Sequence, residues 1–167
     1  MHRPFLVALL AANPAFVELS ARDLEERGGF CVTTFSTAGA LTTFLRLSPV
    51  DAVVLDTDMP GGSILGAVRD LRAHPRLASP LFSLIALTRA DGAQESALLD
   101  AGADAVLPKP VSSGHLLAAM RKLLHSETRV NEAHYRRPGR SRLTRGLKRT
   151  GNVIHLRQGW PHSSKAS

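Results

Sequence analysis

The stretch 53-VVLDTDMPGG-62 decides the fold class, because an apolar run ends in Asp56 and turn residues follow at once. A second acid stands at Asp58, and Met-Pro-Gly-Gly closes the stretch. A short, continuously apolar run that is bounded by turn residues is typical of a strand covered on both faces. Asp56 therefore either does chemistry at the edge of a sheet or is the solvated end of a buried strand.

The charge of the chain is unevenly distributed over its 167 residues. Residues 1–126 carry 11 Lys and Arg against 12 Asp and Glu, a net of −1. Residues 127–167 carry 10 against 2, a net of +8, which accounts for the overall +7. Since single domains usually have about 100–150 residues, we predict one domain over 1–126 and a basic, flexible C-terminal tail over 127–167.

Cysteine usage and hydropathy exclude several classes of protein. Cys31 is the single cysteine of the sequence, so neither a disulfide framework nor a cysteine-based zinc site is expected. It lies in the apolar stretch GFCVTTF, which predicts a buried structural thiol. The N-terminal apolar run over 5–12 is interrupted by Asn13-Pro14, so it indicates a core strand and not a signal peptide. No run approaches the roughly 18 apolar residues of a membrane span, and we expect a soluble, cytoplasmic protein.

Short apolar runs alternate with helical periodicity throughout the predicted domain. The strand candidates are 5–10, 30–35, 52–55, 84–87 and 105–107. The strongest helical stripe consists of Leu116, Leu117, Met120, Leu123 and Leu124. Helices between successive strands imply right-handed crossovers. The pattern predicts an α/β protein with a (βα)5 doubly wound parallel sheet of the flavodoxin-like type.

Three chemically useful side chains are predicted at one edge of this sheet. Asp56 ends the third strand candidate, Thr88 ends the fourth, and Lys109 follows the fifth. The carboxyl ends of parallel strands meet at the same edge, so these side chains are expected to converge. A carboxylate nucleophile can accept a phosphoryl group as an acyl phosphate, and a hydroxyl and a lysine can bind the added oxygens.

The order and spacing of these residues resemble the receiver domain of bacterial two-component response regulators over about residues 4–125. The matching stretches are DTDMPGGSILG (56–66), IALT (85–88), AGAD (101–104) and PKP (108–110). The resemblance implies that Asp56 is the phosphoacceptor, that Thr88 swings towards the phosphoryl group, and that Lys109 holds it. It also implies a cis peptide bond before Pro110 and an output face over 92–125.

Three positions depart from the pattern of that family. The two acids that end strand one and hold Mg²⁺ in the family are matched here by Ala11 and Ala12. Arg89 stands where the family favours a small residue, and it is expected to narrow access to Asp56 or to pair with one of the acids. Val106 replaces an aromatic residue of strand five. Because Mg²⁺ needs a compact set of oxygen ligands, we expect no cofactor, and Mg²⁺ only if Asp56 accepts a phosphoryl group.

The sequence leaves three functions open. The first is a stand-alone, degenerate receiver that is not an enzyme and signals through protein contacts, with Asp56 and Lys109 in a permanent ion pair. The second is a conventional receiver that is phosphorylated on Asp56 by a sensor histidine kinase or a phosphotransfer protein. The third is a nucleic-acid adaptor, because the segment 136–152 is strongly basic and has no acidic residue.

The expected partners follow from these alternatives. A sensor histidine kinase or phosphotransfer protein is expected at the acidic site, and a downstream protein or a second copy of the chain on residues 92–125. The basic segment 136–152 suits nucleic acid or an anionic surface. The apolar patch NVIHL (152–156) and the following Gly-Trp favour docking on the domain or on a partner.

Overall fold

A computed structural model of the chain describes residues 3–58, 62–89 and 92–125, together with the strands at 147–150 and 153–156. Strands and helices alternate in the order β1 (Leu6–Leu10), α1 (Pro14–Gly28), β2 (Cys31–Phe35), α2 (Ala38–Leu47), β3 (Ala52–Asp56), α3 (Ile64–Ala73), β4 (Ser83–Thr88), α4 (Gly92–Ala101), β5 (Ala105–Pro108) and α5 (Ser113–His125). The predicted (βα)5 alternation is confirmed, and every boundary of these five strands lies within one residue of its prediction.

The five strands form one parallel sheet in the order β2-β1-β3-β4-β5. The chain moves outward from β1 to β2 and then crosses back to β3, so strand order reverses between β1 and β3. A crevice outside the carboxyl ends of the strands is expected at this reversal. The strands β3 and β4 are buried along their whole length, which explains why their sequences are apolar without alternation.

The sheet separates two apolar layers. One layer joins the sheet to α2, α3 and α4, and the other joins it to α1 and α5. On β1, Ala8 and Leu10 belong to the first layer, whereas Val7 and Leu9 belong to the second, as the two-residue period of a strand requires. The two layers cover both faces of the sheet, and the loops beyond the carboxyl ends of its strands carry the candidate site.

Capping side chains define the helix ends nearest to that edge. The Oδ1 atom of Asn13 accepts from the backbone N–H groups of the second and third residues of α1, at 3.0 and 3.2 Å. The hydroxyl of Ser112 accepts from the N–H group of the third residue of α5 at 3.2 Å. Gly102 follows α4 with φ of 115°, a conformation that glycine tolerates without strain. Gly102 and Ser112 therefore define the end of α4 and the start of α5.

The prediction of a buried thiol at Cys31 is wrong, because the residue is exposed at the start of β2. In the described sheet β2 is an outer strand that pairs with β1 alone. An outer strand receives less cover from the helices than a central one, so an apolar sequence does not guarantee burial there. The neighbouring Phe30 is buried, which shows how sharply burial changes at this edge.

Beyond α5, the described residues form an antiparallel strand pair, β6 (Leu147–Thr150) and β7 (Val153–Leu156). Their register places Leu147 opposite Leu156 and Thr150 opposite Val153. The sequence analysis missed this pair, although Gly-Asn between two short runs is a hairpin signal. The rest of the predicted tail over 127–167 lies outside the described residues. In the part of the chain that is described, no helix has the length and apolar character that a bilayer crossing requires.

Candidate functional site

Asp56, the last residue of β3, lies in a cleft of about 700 Å³ at the carboxyl edge of the sheet. The cleft is lined by residues that follow β1, β3, β4 and β5. It therefore opens where strand order reverses, as the sequence predicts. Asp56 itself is only 4% exposed, so its carboxylate is a buried charge that requires partners.

Lys109 is the main partner of the Asp56 carboxylate. Its ammonium group donates a short hydrogen bond to Oδ1 of Asp56, and a second one to Oδ2 of Asp58 at 2.7 Å. Burial on its own disfavours the charged lysine, but the hydrogen bonds and charges of the two carboxylates outweigh this effect and raise the pKa of Lys109. The lysine is therefore protonated at neutral pH, and the predicted ion pair at the strand edge is confirmed.

Asp58 contacts three charged residues of the site. Its backbone N–H donates to Oδ1 of Asp56 at 3.0 Å, and its Oδ2 accepts from Lys109 at 2.7 Å. The same Oδ2 lies 3.1 Å from Nη2 of Arg89. The hydrogen bond from Lys109 and the charges of both cations hold the pKa of Asp58 below its ordinary value. Of the alternatives considered for Arg89, the structure shows the pairing with Asp58.

Thr88 ends β4, as predicted, and its side chain is buried. It is not among the residues that line the cleft, so its predicted place beside Asp56 and Lys109 stays a prediction. Its hydroxyl donates to Oε1 of Gln94, in the early part of α4, at 2.9 Å. This bond links the end of β4 to the helix that follows it. The sequence analysis missed Gln94, because nothing in its spacing separates it from an ordinary polar residue of a first helical turn.

The cleft offers few side-chain oxygens to a magnesium ion. Ala11 and Ala12 follow β1, and neither offers a side-chain oxygen. Within the described ranges there is no group of three or more His, Cys, Asp or Glu side chains that could hold a metal ion. Asp56 and Asp58 both already bind Lys109. Mg²⁺ requires near-octahedral coordination by oxygen atoms and is usually held by one or two carboxylates. Because both carboxylates here bind Lys109, the ion would have to displace the lysine, and this donor set fits it poorly.

Two further features that the resemblance implies can be located in the structure. The peptide bond between Lys109 and Pro110 is cis, which confirms that expectation. Val106, in the middle of β5, packs against the apolar layer that includes α2, α3 and α4. Its small aliphatic side chain therefore acts as a core contact at the position where the family carries an aromatic ring.

Comparison with known proteins agrees with the fold. The profile of the response regulator receiver domain matches residues 7–121 of this chain. The chain therefore belongs to the response regulator receiver domain family, whose members act in two-component systems. This match covers the whole candidate site, from the end of β1 to Lys109.

Two curated relatives show the degree of sequence identity between this chain and known proteins. The transcriptional regulatory protein KdpE of Mycobacterium tuberculosis is 32% identical over 127 residues, which are 76% of this chain and 54% of KdpE. Protein PetR of Rhodobacter capsulatus is 36% identical over 107 residues, 64% of this chain and 42% of PetR. The chain spans about half the length of these curated relatives.

A solved structure with the same fold is that of the response regulator DrrB of Thermotoga maritima, an OmpR/PhoB homologue. The two chains superpose with a TM-score of 0.65 at 21% identity, over 91% of this chain and 59% of DrrB. Identity at this level is evidence for the fold alone, and it confirms the flavodoxin-like (βα)5 arrangement.

Proposed function

We propose that this receiver domain is degenerate and signals through protein contacts, without depending on phosphorylation of Asp56 and without acting as an enzyme. One observation carries the proposal: Lys109 bridges Asp56 and Asp58, while alanines occupy the end of β1. The cation that would hold a phosphoryl group is thus already bound to two carboxylates.

Electrostatics explains why this arrangement disfavours phosphoryl transfer. The donor phosphate is an anion, and the attacking Asp56 carboxylate is also an anion, so a metal ion normally neutralises the charge between them. A unit charge left without its counter-charge at about 4 Å costs about 4 kcal/mol at an effective dielectric constant of about 20. A barrier raised by that amount slows a reaction by about three powers of ten. We therefore expect the loss of the metal ligands to slow phosphoryl transfer to Asp56 severely.

The proposed partners are those of the family. A sensor histidine kinase or phosphotransfer protein is proposed at the acidic cleft, and a downstream protein on residues 92–125, which comprise α4, β5 and α5, in the cytoplasm. The proposed contact of the basic segment 136–152 with nucleic acid falls mostly on residues outside the described ones, and only residues 147–150, in β6, lie within them.

Treatment with acetyl phosphate and Mg²⁺, followed by intact-mass spectrometry, tests the proposal. We expect no gain of about 80 Da, the mass of one phosphoryl group, under conditions that phosphorylate a conventional receiver in parallel. We also expect no heat of Mg²⁺ binding in calorimetry. A mass gain in the wild-type chain that disappears in Asp56→Asn would show a conventional phosphoacceptor and refute the degenerate function.

A further inference from the structure

Asp58 places a second anion at the mouth of the cleft, next to the buried Asp56. Its Oδ2 atom accepts from Lys109 at 2.7 Å and lies 3.1 Å from Nη2 of Arg89. One carboxylate oxygen therefore binds both cations. The N–H group of Asp58 donates to Oδ1 of Asp56 at 3.0 Å, and this bond fixes the position of the second carboxylate relative to the first.

The residues that meet at this oxygen come from three different loops. Asp58 lies two residues beyond the end of β3, Arg89 directly follows β4, and Lys109 directly follows β5. A single anionic oxygen thus ties together the carboxyl ends of three neighbouring strands. A phosphoryl group on Asp56 would have to compete for the same ammonium and guanidinium groups.

Resting on the proposed function, we propose that Asp58 is the positioning residue of this site, an internal anion that takes the place of an external phosphoryl oxygen. It acts through Lys109 and Arg89, which it holds together at the mouth of the cleft. The bridged arrangement of the three loops therefore exists without phosphorylation. Removal of the Asp58 carboxylate makes the two cations available to a free anion.

The contacts distinguish this role from that of an ordinary surface ion pair. Arg89 is 77% exposed, and its contact with Asp58 alone would be a weak, salt-screened interaction. The Lys109 side chain is only 17% exposed, although the Asp58 side chain that it binds is 39% exposed. Both carboxylates therefore act on the same lysine, and a change at Asp58 must alter how Lys109 is bound.

The test is an NMR titration of the full chain with inorganic phosphate at constant ionic strength, observing the Lys109 side chain and the backbone amides of Arg89 and Lys109. Asp58→Asn removes the charge and keeps the backbone contact to Asp56, and Asp58→Glu restores the charge. Asp70→Asn is the matched control, because Asp70 is an exposed aspartate of α3.

In Asp58→Asn we expect phosphate to shift these resonances at a concentration at least about tenfold lower than in the wild type, since one competing charge has been removed. The titration midpoint of Lys109 should also move to lower pH, because Asp58 contributes to its raised pKa. Asp58→Glu should return both readouts towards the wild type, and Asp70→Asn should leave them unchanged. A purely structural role for Asp58 would not produce this charge-dependent rescue.

Identical phosphate responses and Lys109 midpoints in the wild type and Asp58→Asn would overturn the inference. Should Asp58→Asn fold poorly, Arg89→Gln supplies a second test, because removing the competing cation leaves Asp58 to Lys109 alone and should move the Lys109 titration midpoint to higher pH. An unchanged Lys109 environment in Arg89→Gln would also count against the bridge. Failure of the proposed function is distinguishable from failure of this inference, because the former is detected as phosphorylation of the wild type in the separate mass-spectrometric assay.

Discussion

The buried pair of Arg72 and Asp104 connects α3 with the turn that precedes β5. The side chains are 2% and 5% exposed, and Nη2 of Arg72 lies 2.7 Å from Oδ2 of Asp104. Arg72 also donates to the carbonyl oxygens of Gly102 at 2.8 Å and Phe82 at 2.9 Å. The same carboxylate oxygen of Asp104 accepts from the N–H group of Leu84 at 2.8 Å. We therefore predict that replacement of Arg72 weakens the whole domain.

The size of the effect follows from the contacts that Arg72→Met removes. The variant keeps a long side chain, but it loses the guanidinium charge and three donated hydrogen bonds. Removing one partner of a buried ion pair costs about 3–5 kcal/mol, and burial already lowers the pKa of Arg72, so the pair has a desolvation penalty. We expect a loss of about 4 kcal/mol from a total stability of about 5–15 kcal/mol. For a urea slope of about 2 kcal/mol/M, the midpoint falls by about 2 M.

Urea unfolding followed by far-UV circular dichroism measures this loss. Arg69→Met, at an exposed position of the same helix, should stay within about 0.5 kcal/mol of the wild type. Asp104→Asn keeps an acceptor for the backbone, so the double variant Arg72→Met/Asp104→Asn should cost less than the sum of the single variants. A loss below about 1 kcal/mol in Arg72→Met, or strict additivity in the double variant, would refute the reasoning.

Two further predictions concern pH and packing. The pKa of Lys109 is higher in the folded protein than its ordinary value of 10.5. The charged lysine therefore stabilises the fold fully below pH 10.5, and this stabilisation is lost as pH rises through the folded-state pKa. The pKa of Asp58 is lower in the folded protein than its ordinary value of 3.8. The charged carboxylate therefore stabilises the fold fully above pH 3.8, and this stabilisation is lost as pH falls through the folded-state pKa. On acidification, the urea unfolding midpoint of Asp58→Asn should therefore fall less than that of the wild type. The same dependence of the midpoint on pH in both proteins would contradict this. Gly28→Ala would place a Cβ atom 2.6 and 2.7 Å from ring atoms of Phe30 and should cost about 1–3 kcal/mol. Gly39→Ala, which meets nothing within 4 Å in α2, should instead stabilise by about 0.5–1 kcal/mol, and thermal unfolding distinguishes the two outcomes.

The position of the candidate site could be predicted from the sequence, but its internal contacts could not. Asp56 and Lys109 were placed together by strand ends alone, because parallel strands that alternate with helices share a carboxyl edge. The sequence left open whether Arg89 pairs with Asp56 or with Asp58. It also gave no sign of Gln94 as the partner of Thr88, because that contact depends on how α4 leaves the sheet.

By itself, the sequence determined the order of the five strands and five helices of the receiver and the edge at which its charged residues collect. These properties follow from apolar periodicity, capping residues and turn residues, all of which act over a few neighbouring positions. Only the tertiary structure decided that Cys31 is exposed on an outer strand and that one oxygen of Asp58 binds two cations. The positions of the strands across the sheet, unlike their succession along the chain, and the directions of side chains in loops arise from contacts between distant segments. Local sequence patterns do not encode those contacts.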